Sequence, residues 1–234
     1  MSPAEGISAR SALSVACTES HLRVDLPGEH EALSWAIVGG GRVRTRAVVW
    51  CHVRGPELAP PAEPREVAAA LARPLGTGES TIVLLTSRRL SAFEHAVAGD
   101  SSGRAEAIAT VGIENALAAG DPADEEPTHA GTINVLCRVD RPLSEGALTE
   151  ALALSTEARA AALFEAGVRS RVSDRAATGT GTDCNAVVAP VALAGAPVAA
   201  YVGKYTRLGA AIGASVREAV LRGALACLAE RERR

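Results

Sequence analysis

The residues best suited to chemistry lie between Ala176 and Ala189. Thr178, Thr180 and Thr182 alternate with Gly179 and Gly181, Asp183 and Cys184 follow, and the run Asn185-Ala186-Val187-Val188-Ala189 comes next. Glycine carries no Cβ, so backbone N–H groups can approach a ligand closely. Successive N–H groups in such a turn make a concave site for an anionic or polarised oxygen. Threonine hydroxyls can donate, accept or attack. Asp183 adds the loop's one charge. The run after it reads as a buried strand that would hold the loop rigidly. The same residues would serve equally in a Gly-rich turn capped by an aspartate.

The elements that must position this loop come from the rest of the chain. Short strands are expected at 13–16 and 22–26, and a clearer one from Glu31 to Val38. Gly39-Gly40-Gly41 breaks it, and Arg44 to Val53 returns as its partner. A proline-bearing loop leads to a short helix from Arg65 to Leu71, ended before Pro74. Gly76-Thr77-Gly78-Glu79-Ser80 turns into a strand at 81–86. It lacks Gly-Lys-Ser/Thr, so a P-loop is not supported. Leu90 to Ala98 is predicted as helix, Glu106 to Val111 as strand and Gly131 to Val139 as strand. Pro122 to Pro127 is acidic and reads as a flexible connection. Ser144 caps a long helix through Ala166, with Glu145 in its first turn, and Gly167 ends it. Pro197 to Val202 is predicted as a strand. Apolar spacing from Leu208 to Arg231 gives a final helix.

This order implies an α+β fold: mixed or antiparallel β-sheet layers packed with α-helices, and a weak internal strand–strand–helix repeat from Glu106 and from Asp183. Residues 1–30 read as an N-terminal extension or edge strands, and 31–234 as one domain. The 234 residues can bury a sizeable core, built from Ala, Val, Leu and Ile because only 3% are aromatic. Net charge is −3, and no basic stripe with interleaved aromatics suggests a nucleic-acid surface. Five scattered cysteines without a C-x-x-C pair suit reduced thiols in the cytosol. Met1 to Arg10 lacks the pattern of a signal peptide. No apolar run approaches the ~20 residues that span a bilayer. A soluble, cytoplasmic protein is expected.

Several phrases together carry a family likeness. They are Ala109-Thr110-Val111-Gly112-Ile113-Glu114-Asn115-Ala116, Gly131-Thr132-Ile133-Asn134, Ser155-Thr156-Glu157-Ala158-Arg159-Ala160, Ala177-Thr178-Gly179-Thr180-Gly181-Thr182-Asp183 and Val202-Gly203-Lys204-Tyr205-Thr206-Arg207-Leu208-Gly209. In order and content the chain resembles the adenosylcobinamide amidohydrolases of corrinoid salvage, from about Leu33 to the last helix. It departs from their pattern at Tyr205, where a histidine often stands, and at Ser87-Arg88-Arg89. The resemblance implies hydrolysis of the amide that joins an aminopropanol arm to the corrin ring. The products would be adenosylcobyric acid and 1-amino-2-propanol.

That reaction needs an activated water or nucleophile, donors for the oxyanion and an acid for the leaving amine. Backbone groups of Thr178, Gly179, Thr180, Gly181 and Thr182 would supply the donors. Asp183 would be a base or would orient one; its alternative is a turn cap. Asn134, after Thr132, would bind a carboxamide on the corrin rim, or end a strand. Lys204 would protonate the leaving group or bind the substrate's polar edge, or be surface charge. Glu157 would be an acid–base partner, or sit on a solvated helix face. His52 would be a base, or structural. Asn115 is carried over by the resemblance as a substrate-binding residue. Cys184 offers a thiol, though one heading a buried strand usually serves packing.

No His/Cys/Asp cluster has ligand spacing, so no metal site is expected. The corrinoid brings its own cobalt, and no further cofactor is required. The expected partner is this small molecule, with no nucleic acid and no membrane span; a homo-oligomer is compatible. One alternative is a non-catalytic corrinoid-binding or carrier protein using the same loops. Another is a nucleotide-binding enzyme using the Gly-Thr repeats for phosphate.

Overall fold

The computed structural model describes residues 11–76, 78, 80–122 and 131–233. Apart from Pro122, the acidic connection lies outside the described residues. In chain order the elements are β1 (Ser14–Cys17), β2 (His21–Ser34), β3 (Gly41–His52), α1 (Pro64–Ala72), β4 (Ile82–Thr86), β5 (Glu94–Asp100), β6 (Gly103–Val111), β7 (Ala116–Leu117), β8 (Ile133–Val139), α2 (Glu145–Glu165), β9 (Gly179–Thr180), β10 (Cys184–Pro190) and α3 (Arg207–Glu232). Eight strands form one mixed sheet, ordered β4-β3-β2-β10-β8-β6-β5, with β1 added against β2. β3 and β4 run parallel, as do β8 and β10. The remaining pairs in this sheet are antiparallel. β10 lies between β2 and β8, so a late strand joins the two halves of the sheet.

Strand periodicity sorts the core into two faces. Ala107, Ala109, Val111, Ile133, Val135, Cys137 and Val187 pack with α2 and α3. Their alternates Ile108, Leu136, Ala186 and Val188 join Leu22, Val24, Trp50, Ile82 and Leu84 in a second cluster. Small residues bring helix and sheet close. A Cβ on Gly223 of α3 would come within 2.5 Å of Val111 Cγ2. Ser144 Oγ accepts from Ala147 N at 3.1 Å and starts α2, while Gly167 at φ +73° turns the chain away after it.

The strands expected at 22–26 and 31–38 are one continuous strand, β2, which ends at Ser34. Two further expected elements differ. The helix predicted from Leu90 to Ala98 is a single 3-10 turn, Leu90–Ala92, followed by β5. Asp100-Ser101-Ser102-Gly103 closes a hairpin in which Ser102 N donates to Asp100 Oδ1 at 2.8 Å, and full pairing with β6 overrides local preference. The strand predicted from Pro197 to Val202 does not form. Ala199 makes an isolated bridge to Leu143, and Val202 N donates to Glu150 Oε2 at 2.7 Å instead of to a strand. The strand–strand–helix order therefore holds from β6 through β8 to α2, but β10 reaches α3 with no second strand. The boundary expected after residue 30 falls inside β2.

Candidate active site

The site grows from the entry ends of β8 and β10. These parallel neighbours place Cys184 opposite Asn134. Just before them, Thr132 Oγ1 donates to Thr182 O at 2.7 Å and Thr182 Oγ1 donates to Gly131 O at 3.0 Å. The reciprocal pair latches the two strand entries together. A side chain at Gly131 would bring its Cβ within 2.7 Å of Asn115 Oδ1, so the glycine lets Asn115 lie against this turn. Among the described residues Asn115 Oδ1 has no hydrogen-bond partner.

Asp183 is the hub. Its side chain is 7% exposed. Oδ2 accepts from Thr180 N at 2.8 Å and lies 3.1 Å from Arg159 Nη1. Oδ1 accepts from Ile133 N at 3.1 Å and from Thr180 Oγ1. A carboxylate has about four lone-pair positions, and each is taken. A general-base role would require one of these donors to let go. Burial pushes the Asp183 carboxyl up, while Arg159 and the Thr180 and Ile133 donors pull it back. Arg159 Nη1 also donates to Asn185 Oδ1 at 3.3 Å, and Asn185 Nδ2 donates to Ser155 Oγ at 3.0 Å. The network thereby ties β10 to α2.

A cavity of about 760 Å³ opens beside this hub. Ile37, Leu58, Val83 and Leu84 supply apolar wall; Asn115, Thr132, Asn134, Thr182 and Asp183 supply polar lining. It lies between the end of the Gly-rich loop and the Gly131–Asn134 segment and extends toward β4. Asn134 is buried and its Nδ2 donates to Leu85 O at 2.7 Å. Ser87 lines the same cavity. Next to it, Arg88 binds both oxygens of Glu230 in α3, at 2.5 and 2.9 Å. Cys184 also lines the cavity, but burial pushes its thiol up to about 12, so it stays protonated at neutral pH.

Other predicted residues lie elsewhere. Part of the expected main-chain cradle is already used inside the protein: Thr178 N donates to Leu117 O at 2.9 Å and Thr180 N to Asp183. Gly179 and Thr180 form β9, paired with β7. A Cβ on Gly179 would collide with Asp183 Oδ2 and come within 3.0 Å of Arg159 Nη2, so the ion pair at the hub leaves room only for glycine there. Gly181 is exposed, and Thr182 is the part of the loop that lines the 760 Å³ cavity. Lys204 Nζ donates to Glu157 Oε1 at 2.5 Å, and both side chains are exposed. Glu157 and Thr178 line a separate cavity of about 660 Å³ along α2. His52 ends β3 opposite Thr86 and lines neither cavity. Tyr205 is fully exposed.

Sequence reasoning gave no role to Arg159, Asn185 or Trp35. The signal for Arg159 was present: Ser155 and Arg159 stand one helical turn apart among alanines and leucines, and both are buried. Among the described residues no group of three His, Cys, Asp or Glu could hold a metal ion. No helix among them is long and apolar enough to cross a membrane.

Comparison with known protein families defines the chain first by reaction class: it is a hydrolase that cleaves amide bonds. The family model described as adenosylcobinamide amidohydrolase matches residues 6–232, and the chain belongs to that family. None of the curated proteins matches it. Similar solved structures include the PH0078 protein from Pyrococcus horikoshii OT3, 11% identical, covering 90% of this chain and 77% of that one with a TM-score of 0.45. A Burkholderia sp. beta-aminopeptidase is 14% identical over 89% of this chain and 78% of that one, with a TM-score of 0.44. The L-aminopeptidase D-Ala-esterase/amidase from Ochrobactrum anthropi, a variant of the Ntn hydrolase fold, is 14% identical over 91% of this chain and 82% of that one, with a TM-score of 0.43.

Proposed function

We propose that the protein hydrolyses the amide between the aminopropanol arm and the corrin ring of adenosylcobinamide. Water adds across that bond, giving adenosylcobyric acid and 1-amino-2-propanol. Family membership supplies the substrate class. The observation that carries the reading is the 760 Å³ cavity, whose apolar wall suits a macrocycle and whose Asn115, Thr132, Asn134 and Thr182 suit its carboxamide fringe.

In this reading Thr132, Asn134, Thr182 and Asn115 bind the substrate at the scissile end. Asn115 Oδ1, without a hydrogen-bond partner among the described residues, is the natural acceptor for an amide N–H of the substrate. Asp183 is the anchor that fixes the loop, with Arg159 as its counter-ion. Thr178, Gly179, Thr180 and Gly181 form the anchored loop itself. Glu157 lines the second cavity with Lys204 as its ion-pair partner, and His52 ends β3. The corrinoid carries its own cobalt, so no further metal is invoked. Five free cysteines suit a reducing cytoplasm.

A carrier role draws on one observation: the titratable groups lining this cavity are a carboxylate with filled acceptor positions and a protonated thiol. One incubation separates the two. Purified protein is mixed with adenosylcobinamide and released 1-amino-2-propanol is detected by mass. Release supports hydrolysis; tight binding without release supports the carrier.

A further inference from the structure

The chain has two Trp, two Tyr and two Phe, and of these Trp35 alone lines either cavity. Trp50 is fully buried, whereas Trp35 is 45% exposed. Tyr201 and Tyr205 are more exposed still, yet they border neither cavity. Trp35 lies just past the end of β2, and its Nε1 donates to Asp183 O at 2.6 Å. The indole's one polar atom is therefore already satisfied, and what it offers a ligand is apolar ring surface. The bond also fixes the ring to the residue at the hub of the site. Trp35 borders the 760 Å³ cavity and the 660 Å³ cavity alike, and exposed Ile37 extends the apolar surface into the first. An aromatic held rigidly and left half open at a cavity mouth is placed to meet a ligand.

We infer that Trp35 is the binding platform of the site: a flat conjugated macrocycle stacks on its indole, and the bond to Asp183 O sets that ligand in register with Thr132 and Thr182. This rests on the corrinoid reading given above. It assigns Trp35 to binding and selectivity, with no part in bond cleavage.

The test compares the full wild-type chain with Trp35→Phe and Trp35→Leu. It measures KM and kcat for adenosylcobinamide, Kd for the same compound by equilibrium dialysis, and Tm for each protein. Losing a stacked aromatic anchor should raise KM and Kd about tenfold in Trp35→Leu, with kcat changed by less than about twofold. Trp35→Phe keeps a ring but loses the N–H, and should stay within about threefold of wild type. Unchanged KM and Kd in Trp35→Leu would overturn the platform. So would equal damage in both variants with kcat falling, because the effect would then belong to the bond to Asp183. If Trp35→Leu does not fold, Trp35→His takes its place, with an intermediate Kd expected and a wild-type Kd overturning the assignment. Should wild type release no aminopropanol, the hydrolytic reading fails by itself, and the Kd series still decides for or against Trp35.

Discussion

Asp183→Asn separates an anchor from a free base. In the wild-type protein the carboxylate receives Thr180 N, Thr180 Oγ1, Ile133 N and the guanidinium of Arg159. Asparagine keeps one acceptor oxygen and points an amide at groups that are themselves donors. Arg159, 8% exposed, loses the carboxylate its Nη1 faces. Breaking a buried pair by removing one partner costs about 3–5 kcal/mol, largely through the charge left behind. The upward push of burial on Asp183 fits this view: the pair itself gains little, and the loss comes from stranded donors. Against the ~5–15 kcal/mol that holds a typical domain together, such a loss is a large fraction. Urea unfolding at pH 7, with the slope checked for two-state behaviour, gives the difference directly. Adding Arg159→Met to Asp183→Asn should return part of it, because the stranded charge is then gone. A single variant with wild-type stability and abolished turnover would refute the anchor and restore Asp183 as the base.

Three further outcomes are expected. Burial opposes ionisation of Glu106, but His95, the Ala12 and Ser11 donors and Arg104 hold its carboxyl at about 2, against 4.5 unperturbed. The unfolded chain binds the extra proton first, so stability present above pH 4.5 should fall between pH 4.5 and 2, by about 3 kcal/mol. In Glu106→Gln an acid titration followed by circular dichroism should show that part of the slope flattened. Gly223→Val would drive a side chain into Val111 and should lower stability by about 1–3 kcal/mol in chemical denaturation, with no direct effect on the cavity. Lys204→Met removes one partner of an exposed ion pair; stability should change by less than about 1 kcal/mol and turnover by less than about twofold. A large fall in kcat for Lys204→Met would bring it back as the proton donor.

The parts of the fold that local chemistry dictates were legible in the sequence. Ser144 and Gly167 bound α2 as expected, because an N-cap hydroxyl and a positive-φ glycine act within a few residues. The entry to β10 and the Gly131–Asn134 segment were legible too, since glycine and threonine clusters next to apolar runs mark strand ends. β5 was hidden because Leu90 to Ala98 mixes small and apolar residues, and only pairing with β6 makes it a strand. The one-turn spacing of Ser155 and Arg159 marked Arg159, but its partner and that of Trp35 were hidden for another reason. Both meet Asp183, which is 24 residues from one and 148 from the other, and spacing along a chain carries no record of such contacts. The same distance explains Glu157 and Lys204. They come together, but on the open side of α2, away from the cavity that Asp183 borders.

β10 behaves as a keystone. On the ribosome, the half built from β1 to β4 and the half built from β5, β6 and β8 must wait for residues 184–190 before they share a continuous sheet. Thr182 and Asp183 arrive with that same strand, so the wall of the 760 Å³ cavity and the final closure of the sheet are completed together. Nascent chains short of this point hold unpaired edges on β2 and β8, which invites chaperone engagement.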